Sequence, residues 1–514
     1  MNGAESLVRT LLACGVDTCF ANPGTSEMHF VAALDRVAGM RCVLGLFEGV
    51  VTGAADGYAR IAGRPAATLL HLGPGLANGL ANLHNAKRAA SPIVNIVGEH
   101  ASFHLKFDAP LTSDIEGVAR PMSHWVRTSR AASTVARDGA EAVAAARSTP
   151  GQIATLILPA DTAWTDADGM AHLPAPAVPS QVDEAVVRDV AALLRRREAP
   201  LLLLGGDALT ESNLVTAAAI AAVCDAKLMT TTYVRHLPRG AGRVAVPRLP
   251  YPVAQALQAL APYRSIVLIG APPPVSFFGY PNSPSELQPD DCHIQPLAQP
   301  GGNVTDALLR LADLLQADQR SVQLQAPDRP SPPRGPLSPD GIGRALAAAL
   351  PDNAIVVDEA ITTGRGFYAA TAGAAPHSWL GNLGGSIGFG TPVGTGAAVA
   401  APDRKVFCLE GDGSFLYTPQ SLWTQARENL DVTTIVFANR SYNILKGELA
   451  MVGAGNPGRR ALDMLELDRP AIDIAGLARS FGVPARQVGS LDELNLALDH
   501  AVASDGPKLI EVLL

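Results

Sequence analysis

The feature that most constrains this chain is a repeated punctuation: short apolar runs end in glycine and are followed by Ala- and Leu-rich stretches of helical length. A parallel strand buried on both faces is apolar throughout, and its crossover needs a helix, so this alternation predicts βαβ units. In one unit Ala67-Thr68-Leu69-Leu70-His71 leads into Gly73-Pro74-Gly75, a helix with Leu76, Leu80 and Leu83 on one face, and a strand over 93–97. In another, Val406-Phe407-Cys408-Leu409-Glu410 leads into Gly411-Asp412-Gly413. There Thr418 is placed to cap a helix with Pro419 at its first position and Leu422, Trp423 and Ala426 inward, and a strand over 434–438 closes the unit. The shared plan suggests a duplicated domain. Between them, strands over 200–204 and 265–269 end in Gly205-Gly206 and Gly270, as in nucleotide folds but without GxGxxG. Glycine there is also what any tight turn requires.

A chain of 514 residues allows two to four domains of about 100–200 residues each. Asp, Gly and Pro gather over 165–179, and Pro327, Pro330, Pro332, Pro333, Pro336 and Pro339 mark an extended linker. The expected fold class is therefore α/β, with three doubly wound parallel-sheet domains over 1–170, 180–320 and 338–514, and a Pro-rich linker over 321–337. A net charge of −8 without basic runs argues against nucleic acid or an anionic membrane as partner. Apolar runs such as Leu201-Leu202-Leu203-Leu204 fall far short of the ~20 residues that span a bilayer. Met1-Asn2-Gly3-Ala4-Glu5 has neither a basic nor an apolar signal region, so a cytoplasmic location is expected. The six cysteines form no CxxC pair and are expected as free thiols. The charged fraction of 17% lies below the usual ~25%, as expected of a chain that buries surface in subunit contacts.

The strongest chemical signal is Gly411-Asp412-Gly413-Ser414 after an apolar strand, with Asn439 at the end of the next. In a parallel sheet both reach the same carboxyl rim. A carboxylate, an amide oxygen and a main-chain carbonyl are hard donors suited to Mg²⁺ or Ca²⁺, with phosphate and water completing the shell. Gly411 and Gly413 permit close backbone approach, and the amides of Gly413 and Ser414 can meet phosphate oxygens. This Asp–Asn spacing of 27 residues resembles the diphosphate-binding signature of thiamine-diphosphate enzymes. The resemblance implies Asp412, Asn439 and the main-chain oxygen of Ser441 as metal ligands, with Tyr442 beside the cofactor.

Two further segments resemble the same family. Leu46-Phe47-Glu48-Gly49 running into Ala55-Asp56-Gly57-Tyr58-Ala59-Arg60 is similar to the segment that carries the cofactor-activating glutamate. Thiamine must lose its C2 proton to its own aminopyrimidine, and a carboxyl bonded to the pyrimidine nitrogen favours the tautomer that accepts it. Phe47, Val50 and Val51 suggest an apolar setting that would raise the pKa of Glu48. Gly385-Ser386-Ile387-Gly388-Phe389-Gly390 resembles the loop whose bulky aliphatic residue, here Ile387, bends the thiamine. Thr362 stands where relatives contact the diphosphate. The order of pyrimidine-binding, middle and diphosphate-binding domains is that of the pyruvate decarboxylase and acetolactate synthase group. It implies sites shared between subunits, with a homodimer as the minimal active unit and a homotetramer as the expected assembly.

Around the reacting carbon two resemblances diverge. Asn22-Pro23-Gly24-Thr25 and His71 resemble benzoylformate decarboxylase: Thr25 would orient a substrate carboxylate and His71 relay a proton. Alternatively Thr25 caps a helix and His71 is a bonded strand-end residue. No histidine occurs over 270–278, where that enzyme places a second one. Gly73-Pro74-Gly75 with Asn78, and the run from Leu111 to Trp125, look more like acetolactate synthase, although Gly49 replaces that enzyme's usual glutamine. The middle block lacks the Arg-Phe-Asp and Met-Gly-His-Gly elements that accompany FAD there, so FAD is not expected. Phe277, Phe278, Tyr442 and Leu445 are candidates for the acyl pocket. The resulting expectation is decarboxylation of a 2-oxo acid with carboligation, dependent on thiamine diphosphate and Mg²⁺. The alternatives are simple decarboxylation, a thioester C–C lyase using Arg235, Arg239 and Arg243 for a nucleotide, and an idle regulatory subunit. The presence of Glu48 disfavours the last.

Overall fold

The computed structural model describes residues 1–175 and 179–514; part of the first predicted domain boundary, residues 176–178, lies outside the described residues. The first sheet contains β1 (Thr18–Asn22), β2 (Arg41–Leu44), β3 (Ala66–Leu70), β4 (Ile93–Glu99), β5 (Trp125–Thr128) and β6 (Ile153–Pro159). They lie in the order β2-β1-β3-β4-β6-β5, all parallel. The middle portion supplies β7 (Pro200–Leu204), β8 (Lys227–Thr230), β9 (Leu237–Arg239), β10 (Ser265–Ile269) and β11 (His293–Ala298). Four of these form a parallel sheet, β11-β10-β7-β8. The last portion supplies β12 (Ala354–Glu359), β13 (His377–Gly381), β14 (Val406–Gly411), β15 (Val432–Ala438), β16 (Ala485–Val488) and β17 (Lys508–Leu513), in the order β16-β17-β15-β14-β12-β13-β9. The α/β class in three domains with parallel sheets is thereby established.

Apart from β9, the third sheet repeats the strand order of the first, each counted from its own first strand. The two βαβ units singled out in the sequence therefore occupy equivalent places. One feature departs from the expectation: β9, from the middle portion, joins the third sheet antiparallel at its edge, pairing with β13. Arg239 in β9 is buried; it stacks 3.8 Å from the Tyr368 ring centre and 5.1 Å from that of Trp379, and donates to Thr371 Oγ1. Arg243 pairs with Glu211. Arg239 is thus engaged in the fold, and Arg243 in a partly exposed ion pair.

First and third domains share one core. The helix Glu48–Ala62 packs on the helix Gly390–Ala400, where Gly57 and Gly396 let the backbones meet: a Cβ on either would run into Val393 or Ala54. Arg60 and Asp56 form a fully buried i,i+4 pair with two 2.7 Å contacts, and Arg60 also donates to the Gly381 carbonyl at 2.8 Å. This pair gives a structural role to the Asp56-Gly57-Tyr58-Ala59-Arg60 segment, because a buried guanidinium needs a carboxylate and carbonyls to replace water. The cysteines form no disulfide. Among the described residues no helix is long and apolar enough to cross a membrane.

Candidate active site

Parallel strands send every carboxyl end to one edge, so the site residues collect on two rims, one per repeated sheet. On the third sheet β14 ends at Gly411 and Asp412 opens a short helix, Asp412–Phe415. Asp412 is buried, and its carboxylate accepts from the amides of Gly413 at 2.9 Å and Arg440 at 2.5 Å. Burial holds this carboxyl above its ordinary range, partly offset by those amides. Asn439 follows β15 and accepts from the Ser441 amide at 3.0 Å, while the Ser441 hydroxyl donates to the Leu465 carbonyl. Arg440, between them, takes the left-handed conformation at φ 54°. The donor set fits a divalent cation: carboxylate and amide oxygens keep unused lone pairs, and a cation relieves the cost of burying Asp412. Tyr442 lies over Gly413, where a Cβ would meet its ring.

Thr418 does not act as the predicted cap. The helix starts at Ser421, with Gln420 before it. The Thr418 hydroxyl instead donates to the Gly388 carbonyl at 3.1 Å, so a tertiary acceptor on the Ile387 loop outcompetes the local cap. Leu422 is buried, whereas Trp423 and Ala426 are half-buried.

Three asparagines shape the Ile387 loop. Asn85 donates to the Ser386 carbonyl and accepts from its amide, Asn82 bridges the carbonyls of Gly49 and Gly388, and Asn382 accepts from the Gly385 amide. Beneath lie Glu359 and Glu410, side by side in register at the ends of β12 and β14 and both buried. Glu359 accepts from the amides of Phe389 and Gly390 at 2.8 Å each, and burial pushes it up to about 7. Glu410, pressed against Glu359, is pushed well above the carboxylate range by burial first and its neighbour second. The pair therefore keeps protons at pH values where free carboxyls lose them. Thr362 is half-buried beside Ile361, a β-branched residue held left-handed at φ 29°. Such strain persists only where surrounding contacts enforce it, commonly at functional sites.

On the first sheet, Thr25, Glu48 and His71 follow the carboxyl ends of β1, β2 and β3. Glu48 opens its helix half-buried, with Oε2 accepting from Asn78 at 3.0 Å. Val50 and Val51, which follow it, are buried. Thr25 is exposed and begins a 3₁₀ turn capped at Gly24, which excludes it as the cap. His71 Nδ1 lies 2.8 Å from Oε2 of Glu27, a buried carboxyl missed in the sequence. Burial raises Glu27 above its ordinary range, while the Gly24 amide and His71 pull it back. Its only local signal is the three-residue spacing from Gly24, which reads equally well as a turn.

Ile387, Phe277, Phe278 and Leu445 line a cavity of about 650 Å³ between the middle and third portions. Tyr442 is not part of that lining, in keeping with its place over Gly413. None of the lining residues is a histidine, and none comes from the first domain.

Two sheets of one strand order, one rim bearing hard oxygen donors among glycines and the other a single accessible glutamate, define the class of thiamine-diphosphate-binding enzymes. Residues 1–117 match the thiamine pyrophosphate enzyme N-terminal TPP binding domain and residues 366–512 the C-terminal TPP binding domain. The chain belongs to the thiamine pyrophosphate enzyme family, and within it to the group of acetolactate synthases and benzoylformate decarboxylases, which act on 2-oxo acids. It is 53% identical to the Mycobacterium tuberculosis protein named "Putative acetolactate synthase large subunit IlvX", over 100% of this chain and 99% of that one. It is 30% identical to benzoylformate decarboxylase of Pseudomonas aeruginosa, over 97% and 96% of the two chains. Among solved structures it resembles the thiamine diphosphate-dependent 4-hydroxybenzoylformate decarboxylase of Rhodococcus jostii RHA1, with TM-score 0.86 and 25% identity over 99% and 98% of the two chains.

Proposed function

We propose that this chain catalyses thiamine-diphosphate- and Mg²⁺-dependent decarboxylation of a 2-oxo acid with carboligation to a second carbonyl compound, in the manner of acetolactate synthase. The observation that carries the carboligation reading is that the middle and third portions line the cavity without a histidine, which leaves protonation of the reacting carbon to His71 of the first-domain rim and gives an acceptor time to arrive. Asp412, Asn439 and the Ser441 carbonyl would hold the metal, with Gly411, Gly413, Ser414 and Thr362 facing the diphosphate and Tyr442 covering the turn. When bound, thiamine diphosphate supplies the electron sink for loss of CO₂. Glu48 holds a proton at the pyrimidine nitrogen. Ile387, fixed by the asparagine-bound loop, sets the shape of the seat. Thr25 orients the substrate carboxylate, and His71 presents Nε2 for proton transfer while Glu27 fixes its Nδ1 side.

The Glu27–His71 pair favours a second reading, benzoylformate decarboxylase-like protonation to an aldehyde. The site is proposed to form between two copies in the cytoplasm, in a homodimer or a homotetramer built from it. Support comes from the first-domain rim. Met28, Leu46, Phe103 and Trp164, which follow β1, β2, β4 and β6, are all exposed there, and a second copy would cover them. Proton NMR of products decides between the two readings. With cofactor and Mg²⁺, a ketol formed from a 2-oxo acid and an aldehyde acceptor supports carboligation. Aldehyde alone from pyruvate and from benzoylformate refutes it in favour of the second reading.

A further inference from the structure

The cavity between the middle and third portions carries information about the acyl donor. It begins at the Ile387 loop: the Phe277 ring lies against Gly385, a left-handed residue at φ +75° whose Cβ would run into the ring. The aromatic wall continues outward from there. The Phe277 ring centre is 5.0 Å from that of Phe278, 5.6 Å from Tyr251 and 6.2 Å from Tyr233. Phe277 and Phe278 remain 43% and 51% exposed, yet they stand on a concave wall rather than an outer surface. Uncovered rings on a concave wall keep apolar surface in water, and a bound apolar group relieves that cost.

Several charged groups of the lining already have partners. Glu448 accepts from Tyr280 at 2.8 Å and Tyr251 at 3.3 Å, and Arg248 reaches Asp358 at 3.4 Å. Arg365 is exposed and makes no ion pair among the described residues, which leaves it to meet a carboxylate. A volume of about 650 Å³ falls within the range of roughly 300–1,000 Å³ that encloses drug-sized ligands. The Ile387 end of this space is the proposed seat of the cofactor, and the wall of Phe277, Phe278 and Leu445 is what remains for the acyl tail; the methyl group of pyruvate would cover little of it.

Resting on the thiamine-dependent reading above, we infer that the acyl donor is a 2-oxo acid whose side chain is apolar and longer than a phenyl ring, seated between Phe277, Phe278 and Leu445. Recognition by ring contact and water release tolerates variation in the shape of the tail.

The test compares pyruvate, benzoylformate and 4-phenyl-2-oxobutanoate as donors for protein loaded with thiamine diphosphate and Mg²⁺. Calorimetric titration with acetate and 4-phenylbutanoate gives a readout independent of turnover. The expected kcat/KM for 4-phenyl-2-oxobutanoate exceeds that for pyruvate by roughly 10- to 100-fold, and 4-phenylbutanoate binds where acetate does not. Leu445→Trp, which fills the cavity, should weaken 4-phenylbutanoate binding by about 10-fold or more. The rise in Tm on adding cofactor shows whether this variant folds and loads. Equal or better use of pyruvate, or a flavin retained by the purified protein, overturns the donor assignment and leaves the thiamine reading standing. No CO₂ from any acid, with no cofactor-induced rise in Tm, overturns the thiamine reading itself.

Discussion

Glu27 Oε2 and His71 Nδ1 lie 2.8 Å apart, joining a buried carboxyl that follows β1 to the residue that follows β3. With Nδ1 engaged, the ring has only Nε2 to offer a substrate, and the carboxyl fixes its orientation. If the pair relays a proton, His71→Ala should shift products from aldehyde towards ligated ketol, and Glu27→Gln should shift them the same way by less. Product ratios by NMR check this; an unchanged ratio in His71→Ala removes the relay.

Glu48 is half-buried, and among the described residues its carboxylate is bonded only to Asn78, as suits a carboxyl that acts on a ligand. Glu48→Gln should retain thiamine diphosphate in an equilibrium binding assay and lower turnover by about 10²- to 10⁴-fold, the usual contribution of a positioned acid or base. Turnover equal to wild type would refute the activating role.

Asp412 is the buried carboxylate of the proposed metal site. Thiamine diphosphate with Mg²⁺ should raise the Tm of the wild-type protein, the linkage at a hundredfold excess over Kd amounting to about 2.7 kcal/mol. Asp412→Ala should show no such rise. A full rise in the variant would show that the metal is held elsewhere.

The two variants also test where the site is built. If Glu48 of one protomer serves the cofactor held by Asp412 of the partner subunit, mixing unfolded Glu48→Gln and Asp412→Ala chains and refolding them together regenerates one intact site per hybrid dimer. Activity should then reappear in the mixture. If each chain builds its own site, every site in the hybrid stays defective and the mixture remains inactive.

Glu359 and Glu410 make stability fall with rising pH. Glu359 keeps its proton to about 7 in the folded chain against 4.5 for the free group, and Glu410 is likewise held well above the free value. Between those values the unfolded chain has shed protons that the folded chain retains, so each contributes a loss of about 1.4 kcal/mol per pH unit. The contribution is fully present below 4.5 and is lost as pH rises through the folded values. Glu410→Gln removes one retained proton, so its Tm should decline less steeply than wild type between pH 5 and 7. Parallel slopes would mean that Glu410 is ionised in the folded protein.

The sequence by itself determined the βαβ units, the Asp412–Asn439 rim and the place of Glu48. Each depends on residues near one another in the chain: an apolar strand, a glycine turn, and a parallel sheet that delivers strand ends to one edge. It also carried Phe277, Phe278 and Leu445 as wall candidates, though not the size of what they enclose. Only the tertiary structure decided the partners that arrive from distant elements. Glu27 reaches His71 because β1 and β3 are neighbours in the sheet, and Thr418 leaves its own helix for the Gly388 carbonyl. Residues 237–239 abandon the middle sheet for an open edge beside β13, where Arg239 finds two aromatic faces. Hydrogen bonds and ring contacts of this kind depend on distances that chain spacing does not encode. Local preference yields to them because a buried polar group must be satisfied by whatever the packed core brings near.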